Sequence, residues 1–309
     1  MMDQFIVTEK CSMLRMLGRE ALRGRWMLAF AAVILYTLAT YVPSFALEQI
    51  FSNAPMVSAI YQIIVAGPLT LGYSIFLLSL FRNDWPTVGQ VFYGFERFGK
   101  SLGAMLLIVL FVTLWSLLIV PGVLLASNVP FFTPFALLLA IPAIIASIRY
   151  SQAFFILADH PETGARECVA KSKWMMQGNK LKYFFLVMSF IGWALLASIP
   201  AFALGFATAM RVVDSMDLSV MEGFGQYYGE FMLAYSTYYS PIGQLGYSIA
   251  TSVAYVPFMV YMMASLTAFY EMAAGNLRPG YIMSTAEVID TAGAAGGNGK
   301  PEKPDGWPR

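Results

Sequence analysis

Long uninterrupted apolar stretches dominate the pattern of hydrophobic and polar positions along the chain. Each stretch is 22 to 28 residues long, and together they cover residues 26–47, 56–81, 101–126, 131–158, 183–210 and 243–270. A helix needs roughly 20 apolar residues to cross the hydrocarbon core of a membrane, whereas a barrel strand is a shorter segment of alternating character. The pattern therefore predicts an all-α fold, a polytopic membrane bundle of six transmembrane helices.

Shorter stretches with one apolar face precede the odd-numbered spans. Their apolar positions recur at intervals of three and four residues, which is typical of a helix that lies on a surface. In two of these stretches the positions are Val88, Val91, Phe92, Phe95 and Phe98, and Cys168, Val169, Ser172, Met175 and Met176. Asp84 with Pro86 predicts the start of the first helix, and Thr163 predicts the cap of the other.

A glycine close to Lys or Arg stands directly before each odd-numbered span. The sequences are ALRGRW around Gly24, RFGKSL around Gly99 and MQGNKL around Gly178. Gly99 and Gly178 suit the left-handed residue that ends a helix, where a β-carbon would add strain. The cations that follow would lie at the level of the phosphate headgroups, so we expect them to contact anionic lipid. These cations are Lys100, Lys180 and Lys182.

Glycine and proline positions suggest an internal repeat. The distance from Gly99 to Pro121 equals that from Gly178 to Pro200, 22 residues in both cases. The even-numbered spans also share an internal proline followed by an acidic residue near the end of the span. These prolines are Pro68, Pro142 and Pro257. We interpret the pattern as three parallel copies of a cytoplasmic surface helix and a two-span hairpin; the alternative is that glycine and proline are simply frequent in membrane helices.

Composition indicates that the bilayer is the main solvent of this chain. Hydrophobic residues make up 58% and charged residues 12% of the 309 positions, and the mean hydropathy is +0.64. Soluble domains carry about 25% charged residues, so this balance excludes a large water-soluble catalytic domain. We expect anionic membrane lipid, and no nucleic acid, as a partner.

Lys and Arg are distributed unevenly between the two sides of the predicted membrane. They cluster before span one, between spans two and three, between spans four and five, and in the C-terminal tail, whereas the loop after span five carries only Arg211, beside acids. Because cytoplasmic loops near membrane spans are rich in Lys and Arg, we expect both termini in the cytoplasm. Cys11 and Cys168 lie in the same basic segments, so both thiols are expected to stay reduced.

The chain divides into three parts. Residues 1–25 are expected to form a cytoplasmic amphipathic segment, residues 26–271 the membrane domain, and residues 272–309 a cytoplasmic tail. The Gly/Pro-rich end of the tail, from about residue 291, is expected to be disordered. Span one is expected to act as an uncleaved signal anchor. The outer loop at 211–241 is acidic and rich in Tyr, which favours a helix in the headgroup layer.

Arg149 is the one ionisable residue inside a predicted span. Charges at such depth are usually paired or functional, so Arg149, with Tyr150 and Gln152 close by, is a candidate ligand for a phosphate headgroup or an anionic substrate. Span four is 28 residues long, and the alternative is that Arg149 lies shallower and extends to the cytoplasmic interface. Both interpretations remain open at this point.

The single histidine, His160, lies between Asp159 and Glu162, and this trio could bind a divalent ion weakly. Metal sites usually need three or four converging ligands, so the preferred interpretation is that Asp159 ends one helix and Pro161 opens the next. The sequence contains no GxSxG, HExxH, CxxC or Walker motif. We therefore predict no enzyme activity, no cofactor and no metal site.

Several motifs together resemble a known family. They are GREALRGRW, GPLTLG, FYGFERFGKSL, WSLLIVPG, RYSQAFFILADHP and KSKWMMQGNKLKYFFLVMSFIGW. From about Gly18 to Glu271 the chain resembles the bacterial integral membrane family catalogued as domain of unknown function 975, which is distantly similar to the membrane domain of some glycerophosphodiester phosphodiesterases. The resemblance implies a bacterial plasma-membrane protein and carries no catalytic residues to transfer.

Two functions from different classes fit these features. The first is a non-enzymatic lipid-interacting or scaffold component whose basic corners engage anionic headgroups. The alternative is a small-solute transporter or channel that uses proline-broken even spans and Arg149 as a polar pathway. Few polar groups lie within the spans, and this counts against the alternative because ion-coupled transporters usually bury several.

Overall fold

The computed structural model describes residues 5–51, 54, 56–128, 131, 133–214 and 241–277, and helices account for most of them. Most of the outer loop at 211–241, and the tail from residue 278, lie outside the described residues, so their predicted features are not addressed further. The helices are α1 (Cys11–Leu22), α2 (Trp26–Ile50), α3 (Met56–Arg82), a 3-10 helix (Val88–Arg97), α4 (Phe98–Ser116), α5 (Ile119–Asn128), α6 (Thr133–Leu139), α7 (Ile141–Tyr150), α8 (Ala153–Asp159), α9 (Ala165–Met175), α10 (Lys180–Met188), α11 (Ile191–Asp214) and α12 (Pro241–Ala273).

Six helical segments within the described residues are long and apolar enough to cross a membrane. We number them as spans one to six in chain order. They are Trp26–Ile50, Met56–Arg82, Val88–Leu125, Ile141–Asp159, Ile191–Asp214 and Tyr255–Ala273. The predicted fold class, an all-α bundle with six candidate membrane helices, is therefore confirmed.

Even-numbered spans form the centre of the bundle and odd-numbered spans form its periphery. In the most apolar part of each span, 61, 44 and 67% of residues are buried in spans two, four and six, against 22, 6 and 0% in spans one, three and five. Leu195, Phe202 and Phe206 on span five are exposed. Lipid chains are as apolar as these side chains, so close packing of the central helices, rather than a hydrophobic force, favours this arrangement.

Three helices pack around the even spans at one end of the bundle, and we call α1, the 3-10 helix and α9 the collar. α1 packs against α12, the 3-10 helix against α3, and α9 against α8. Glycines without room for a side chain allow these close contacts. A β-carbon on Gly94 would collide with the Pro68 carbonyl, and one on Gly18 would come within 2.7 Å of the Ser265 amide nitrogen. Each collar helix thus lies directly on an even span.

The collar helix that begins span three is a 3-10 helix and not the α-helix that its apolar stripe predicts. With three residues per turn, the row that contains Val91 and Gly94 faces α3, and both residues are buried. Phe92, Phe95 and Phe98 are instead 43, 39 and 40% exposed. Val91 therefore faces α3, whereas Phe92, Phe95 and Phe98 lie on the outward side of the helix.

α9 follows its predicted stripe because it is a regular α-helix. Its five stripe positions are all buried: Cys168, Val169, Ser172, Met175 and Met176. The predicted start signals are wrong at both collar helices. The 3-10 helix begins after Thr87, which forms a capping box with Gln90, rather than at Asp84. The N-cap of α9 is Gly164, and Thr163 lies one residue before it.

Two of the three glycine corners have a left-handed backbone. Gly24 has φ of +74° and Gly178 has φ of +82°, the conformation that ends a helix at low cost when no β-carbon is present. Gly99 differs from its prediction, because it lies in the first turn of α4. The 3-10 helix runs into α4 through Arg97, whose φ of −117° and ψ of 40° make the bend, so no left-handed residue is required there.

The prolines of the even spans do not act alike. Pro68 and Pro257 lie inside the continuous helices α3 and α12, so spans two and six are not broken by proline. Neighbouring helices in a membrane bundle support the backbone groups that a proline leaves unbonded. Pro142 lies in the first turn of α7, where a backbone N–H has no partner within the helix, so a proline there costs no hydrogen bond. Span four is broken again at Ser151 and Gln152, between α7 and α8.

Candidate functional site

The three even spans meet at a group of charged and polar side chains at the collar end, which we call the charged cluster. Its members are Arg82, Asp159, Tyr270, Glu271 and Asn276. Arg82 Nη1 donates to Asp159 Oδ1 at 2.6 Å, and Arg82 Nε donates to Glu271 Oε1 at 2.8 Å. The Tyr270 hydroxyl donates to Asp159 Oδ2 at 2.9 Å. One guanidinium therefore joins the ends of all three central spans.

Helix ends position these side chains. Arg82 is the last residue of α3 and Asp159 the last of α8. At the end of α12, Gly275 has φ of +79°. Its amide donates to the Met272 carbonyl at 3.0 Å, and the Asn276 amide donates to the Glu271 carbonyl at 2.9 Å. This pair of bonds is the Schellman motif.

The Schellman turn sends the chain back over the end of α12. It thereby places the Asn276 side chain so that Nδ2 donates to Glu271 Oε2 at 2.7 Å. Aromatic packing supports the same region, because the rings of Phe155 and Tyr270 stack with centroids 5.3 Å apart. The end of span six is therefore fixed by its own cap and by span four.

Burial makes the pairing within the charged cluster energetically important. The Glu271 side chain is only 3% exposed, and an ionised carboxylate at such a position needs both a charge partner and hydrogen bonds. Arg82 provides two donors from different edges of a rigid planar group, which a lysine cannot do. Each carboxylate oxygen of Asp159 and Glu271 already accepts a hydrogen bond. The cluster is thus suited to holding helix ends together rather than to acid–base chemistry on a substrate.

Two of the lysines predicted to contact headgroups also bond backbone carbonyls of the protein. Lys100 Nζ donates to the carbonyls of Pro161 at 2.7 Å and Glu162 at 3.2 Å. Lys182 Nζ donates to the Thr8 carbonyl at 3.2 Å. Lys180 is half-buried and makes no such bond among the described residues. Two of the three predicted headgroup ligands are therefore already engaged within the protein.

Arg149, Tyr150 and Gln152 lie together at the break in span four but do not converge on one position. The ring of Tyr150 stacks on Phe111 of α4 with centroids 5.5 Å apart. Gln152 is buried, and its Nε2 donates to Ser151 Oγ at 2.9 Å. The Arg149 guanidinium is half-buried and has no polar partner in the part of the chain that the structure describes. The trio predicted from sequence is therefore local in the chain but not one binding site.

Ser172 of α9 supports the backbone at this break. Its hydroxyl donates to the Arg149 carbonyl at 3.0 Å and accepts from the Gln152 amide at 3.2 Å. Arg149 therefore lies at the level of the collar rather than in the middle of the bundle. This position favours the interpretation that Arg149 is an interfacial residue.

Asp159, His160 and Glu162, the candidates for a weak metal site, do not point to one position. Asp159 belongs to the charged cluster, whereas His160 Nδ1 lies 3.6 Å from Glu162 Oε1. In the ranges that the structure describes, no three His, Cys, Asp or Glu side chains group as metal ligands. Pro161 lies in a turn and does not open a helix, since α9 starts only at Ala165. Asp159 does end α8, as the sequence predicts.

Sequence reasoning recognised Asp159 and Glu271 as acidic ends of spans but missed their partner. Arg82 was interpreted only as a loop cation, one of many on the basic side. The available signal was that spans four and six end in acids while span two ends in a base. Opposite charges at corresponding helix ends predict an ion pair when the helices are adjacent. The sequence does not show that these three spans are.

A second feature of the collar is an aromatic surface around the 3-10 helix. It consists of Trp85, Phe92, Tyr93, Phe95 and Phe98, all of them exposed, with Trp85 at 91%. Trp85 has φ of +44°, and the chain turns there between α3 and the 3-10 helix. Glu96, Arg97 and Lys100 interrupt the surface with charge. Aromatic rings beside charged groups are typical of segments in the headgroup layer of a membrane.

Comparison with known proteins gives one relationship. No curated protein and no solved structure matches the chain significantly, and the distant similarity to membrane domains of glycerophosphodiester phosphodiesterases stays a prediction. The family described as "Protein of unknown function (DUF975)" matches residues 8–276. This range contains the collar, all six spans and the charged cluster. The chain is therefore a member of the DUF975 family.

Proposed function

We propose that this protein is a non-enzymatic, lipid-interacting membrane component whose collar lies against anionic lipid headgroups. The single observation that carries the proposal is the aromatic surface of the 3-10 helix. We further propose that the collar faces the cytoplasm of a bacterial cell at the plasma membrane, because Lys and Arg are concentrated on that side.

The aromatic surface is better suited to a membrane interface than to water. Exposed apolar area costs roughly 25 cal/mol per Å² in water, and Tyr and Trp rings favour the headgroup layer. The 3-10 helix is anchored to α3 through Val91 and Gly94, so its outward rings cannot turn inward. Odd spans begin next to the collar and expose apolar side chains along their length. The lipid surface would thus meet the protein at the level of these rings.

Exposed cations of the collar supply the preference for anionic lipid. Arg19 of α1 and Arg166 and Lys173 of α9 are exposed, and each cation near an anionic membrane surface contributes about 1 kcal/mol. Lys100 and Lys182 are less available to lipid, because their ammonium groups donate to backbone carbonyls. Lys171 is less available, because it donates to Glu167 at 2.8 Å. This hydrogen bond lowers the pKa of the Glu167 carboxyl.

The transporter alternative receives less support from the geometry. Spans two and six are continuous through Pro68 and Pro257, and Arg149 lies at the level of the collar. The carboxylates of the charged cluster are occupied by Arg82, Tyr270 and Asn276. Ion-coupled transporters usually bury several ionisable groups within their membrane spans, and few lie within these spans. We therefore place lipid interaction first.

Native mass spectrometry of the protein released from mixed bilayers tests the proposal. The test variant combines Arg19→Gln, Arg166→Gln and Lys173→Gln, and the matched control combines Arg19→Lys, Arg166→Lys and Lys173→Arg, which keeps every charge. We expect the first variant to retain several-fold less phosphatidylglycerol than the wild type and the control to retain the same amount. Phosphatidylcholine retention serves as the reference for all three proteins. Equal phosphatidylglycerol retention in the test variant and the control would overturn the proposal.

A further inference from the structure

The residues before α1 cross the collar end without helical structure, and one side chain bonds two of their backbone groups. Asn179 Oδ1 accepts from the Val7 amide at 2.8 Å, and Asn179 Nδ2 donates to the Phe5 carbonyl at 2.8 Å. The amide of Asn179 thus bonds two backbone groups of an extended segment, as a neighbouring strand would do. These two bonds recognise the backbone, and side-chain contacts of the same segment add sequence preference.

Asn179 is built into this role by its surroundings. It is fully buried, and its second amide hydrogen goes to the Met175 carbonyl at 2.9 Å. Gly178, with φ of +82°, precedes it and lies under the side chain of Ile6. Because a buried amide left unbonded costs about 1 to 3 kcal/mol, the position requires an extended backbone segment beside it.

Further contacts hold the same four residues. Lys182 binds the Thr8 carbonyl, the Val7 side chain is buried, and the ring of Phe5 lies directly on Gly275, where a β-carbon would collide with it. Gly275 is the left-handed residue of the Schellman turn that precedes Asn276. The segment therefore rests on the turn that places Asn276 on Glu271.

We propose that Asn179, Lys182 and Gly275 form a recognition site for extended peptide backbone, which residues 5–8 occupy, and that this occupancy keeps the charged cluster closed. We call residues 5–8 the clasp. When the clasp leaves, Gly275 loses the ring that covers it and the cap of α12 loosens. Asn276 then releases Glu271, and the end of span six separates from Arg82. This inference does not depend on lipid binding.

Hydrogen exchange of the full-length protein in lipid nanodiscs tests the inference. The amides to follow are those of Gly275 and Asn276, which donate within the cap of α12. We expect Asn179→Ala and a deletion of residues 1–8 each to raise exchange at these amides by about tenfold, as for local opening. Asn83→Gly is the matched control: Asn83 accepts a hydrogen bond from Arg25 at an exposed position, and its φ of +62° suits glycine. It should leave the exchange unchanged.

A peptide of residues 1–9, added to the deletion variant, separates recognition from general loosening. We expect it to restore protection at Gly275 and Asn276, whereas a scrambled peptide of the same composition should leave them unprotected. Phe5→Ala keeps Asn179 intact and removes only the ring on Gly275, so it should give the same increase if the other variants fail to fold. Unchanged exchange in Phe5→Ala and in the deletion variant would overturn the proposal. Restoration by the scrambled peptide would overturn the recognition site.

Discussion

Arg82 and Glu271 lie 189 residues apart in the sequence, yet their side chains are joined by a hydrogen bond of 2.8 Å. The bond connects the ends of spans two and six, and Asp159 brings span four to the same guanidinium. We expect Arg82→Gln to lower the free energy of unfolding by about 3 kcal/mol, because it leaves the buried Glu271 carboxylate without a charge partner. Thermal unfolding in detergent, followed by circular dichroism, measures the loss.

Arg23→Gln is the matched control for this prediction. Arg23 pairs with Glu20 at 3.4 Å, but its side chain is mostly exposed, and exposed pairs contribute about 1 kcal/mol or less. Arg82→Lys should fall between the two, since a lysine keeps the charge but cannot bond both carboxylates from two edges. Similar losses for Arg82→Gln and Arg23→Gln would show that the charged cluster does not hold the spans together.

Close packing of the 3-10 helix on α3 predicts a strong effect of a single methyl group. Gly94→Ala should destabilise the protein by at least about 1 to 3 kcal/mol, because its β-carbon meets the backbone of α3, which cannot move away. Gly89→Ala, in the same helix, has open space around the added carbon and should cost far less. Limited proteolysis between residues 83 and 100 measures whether the helix detaches. Equal cleavage of both variants would contradict this packing.

The break in span four should depend on Ser172. Removing its hydroxyl leaves the Arg149 carbonyl and the Gln152 amide without a bond, at a cost of about 1 to 3 kcal/mol. Ser198→Ala is the comparison, because Ser198 donates only to the Leu195 carbonyl of its own exposed helix. Unfolding of both variants in a denaturing detergent gives the difference. A Ser172→Ala variant as stable as Ser198→Ala would mean that the break needs no support from α9.

Cys168 should react slowly with maleimides over the usual pH range. It is fully buried in α9, and burial raises the pKa of its thiol to about 11. Since only the thiolate is nucleophilic, roughly one thiol in a thousand is reactive at pH 8, and the rate should rise about tenfold per pH unit until the pKa is reached. The Cys11→Ser variant retains Cys168 as its single cysteine, and its alkylation rate at several pH values measures this dependence. Cys168→Ser leaves only the half-buried Cys11 and should label much faster at pH 8.

Local patterns predicted those parts of the fold that local physics determines. Apolar length was enough to place six spans, and the 3.6-residue period gave the buried face of α9 correctly. The same period did not predict that residues 88–97 form a 3-10 helix, in which Val91 and Gly94 are buried. Phe92, Phe95 and Phe98 of its apolar stripe are exposed.

The charged cluster and the clasp could not be predicted in the same way. Both depend on which helices are central, and apolar composition does not distinguish α3 from α11. Lys100 and Lys182 looked like headgroup ligands, since a lysine before a span commonly is one. Their carbonyl partners near Pro161 and at Thr8 are distant in sequence and carry no residue-type signal, because backbone carbonyls occur everywhere.

The packing of α1 on α12 delays part of the folding of this protein during its synthesis. α1 has its neighbour in α12, which is synthesised much later, and 189 residues separate Arg82 from Glu271. At roughly 5 to 20 residues per second this delay is on the order of 10 to 40 s. During that time the hairpin of spans one and two lacks span six. The nascent chain therefore cannot close the charged cluster until α12 has been synthesised.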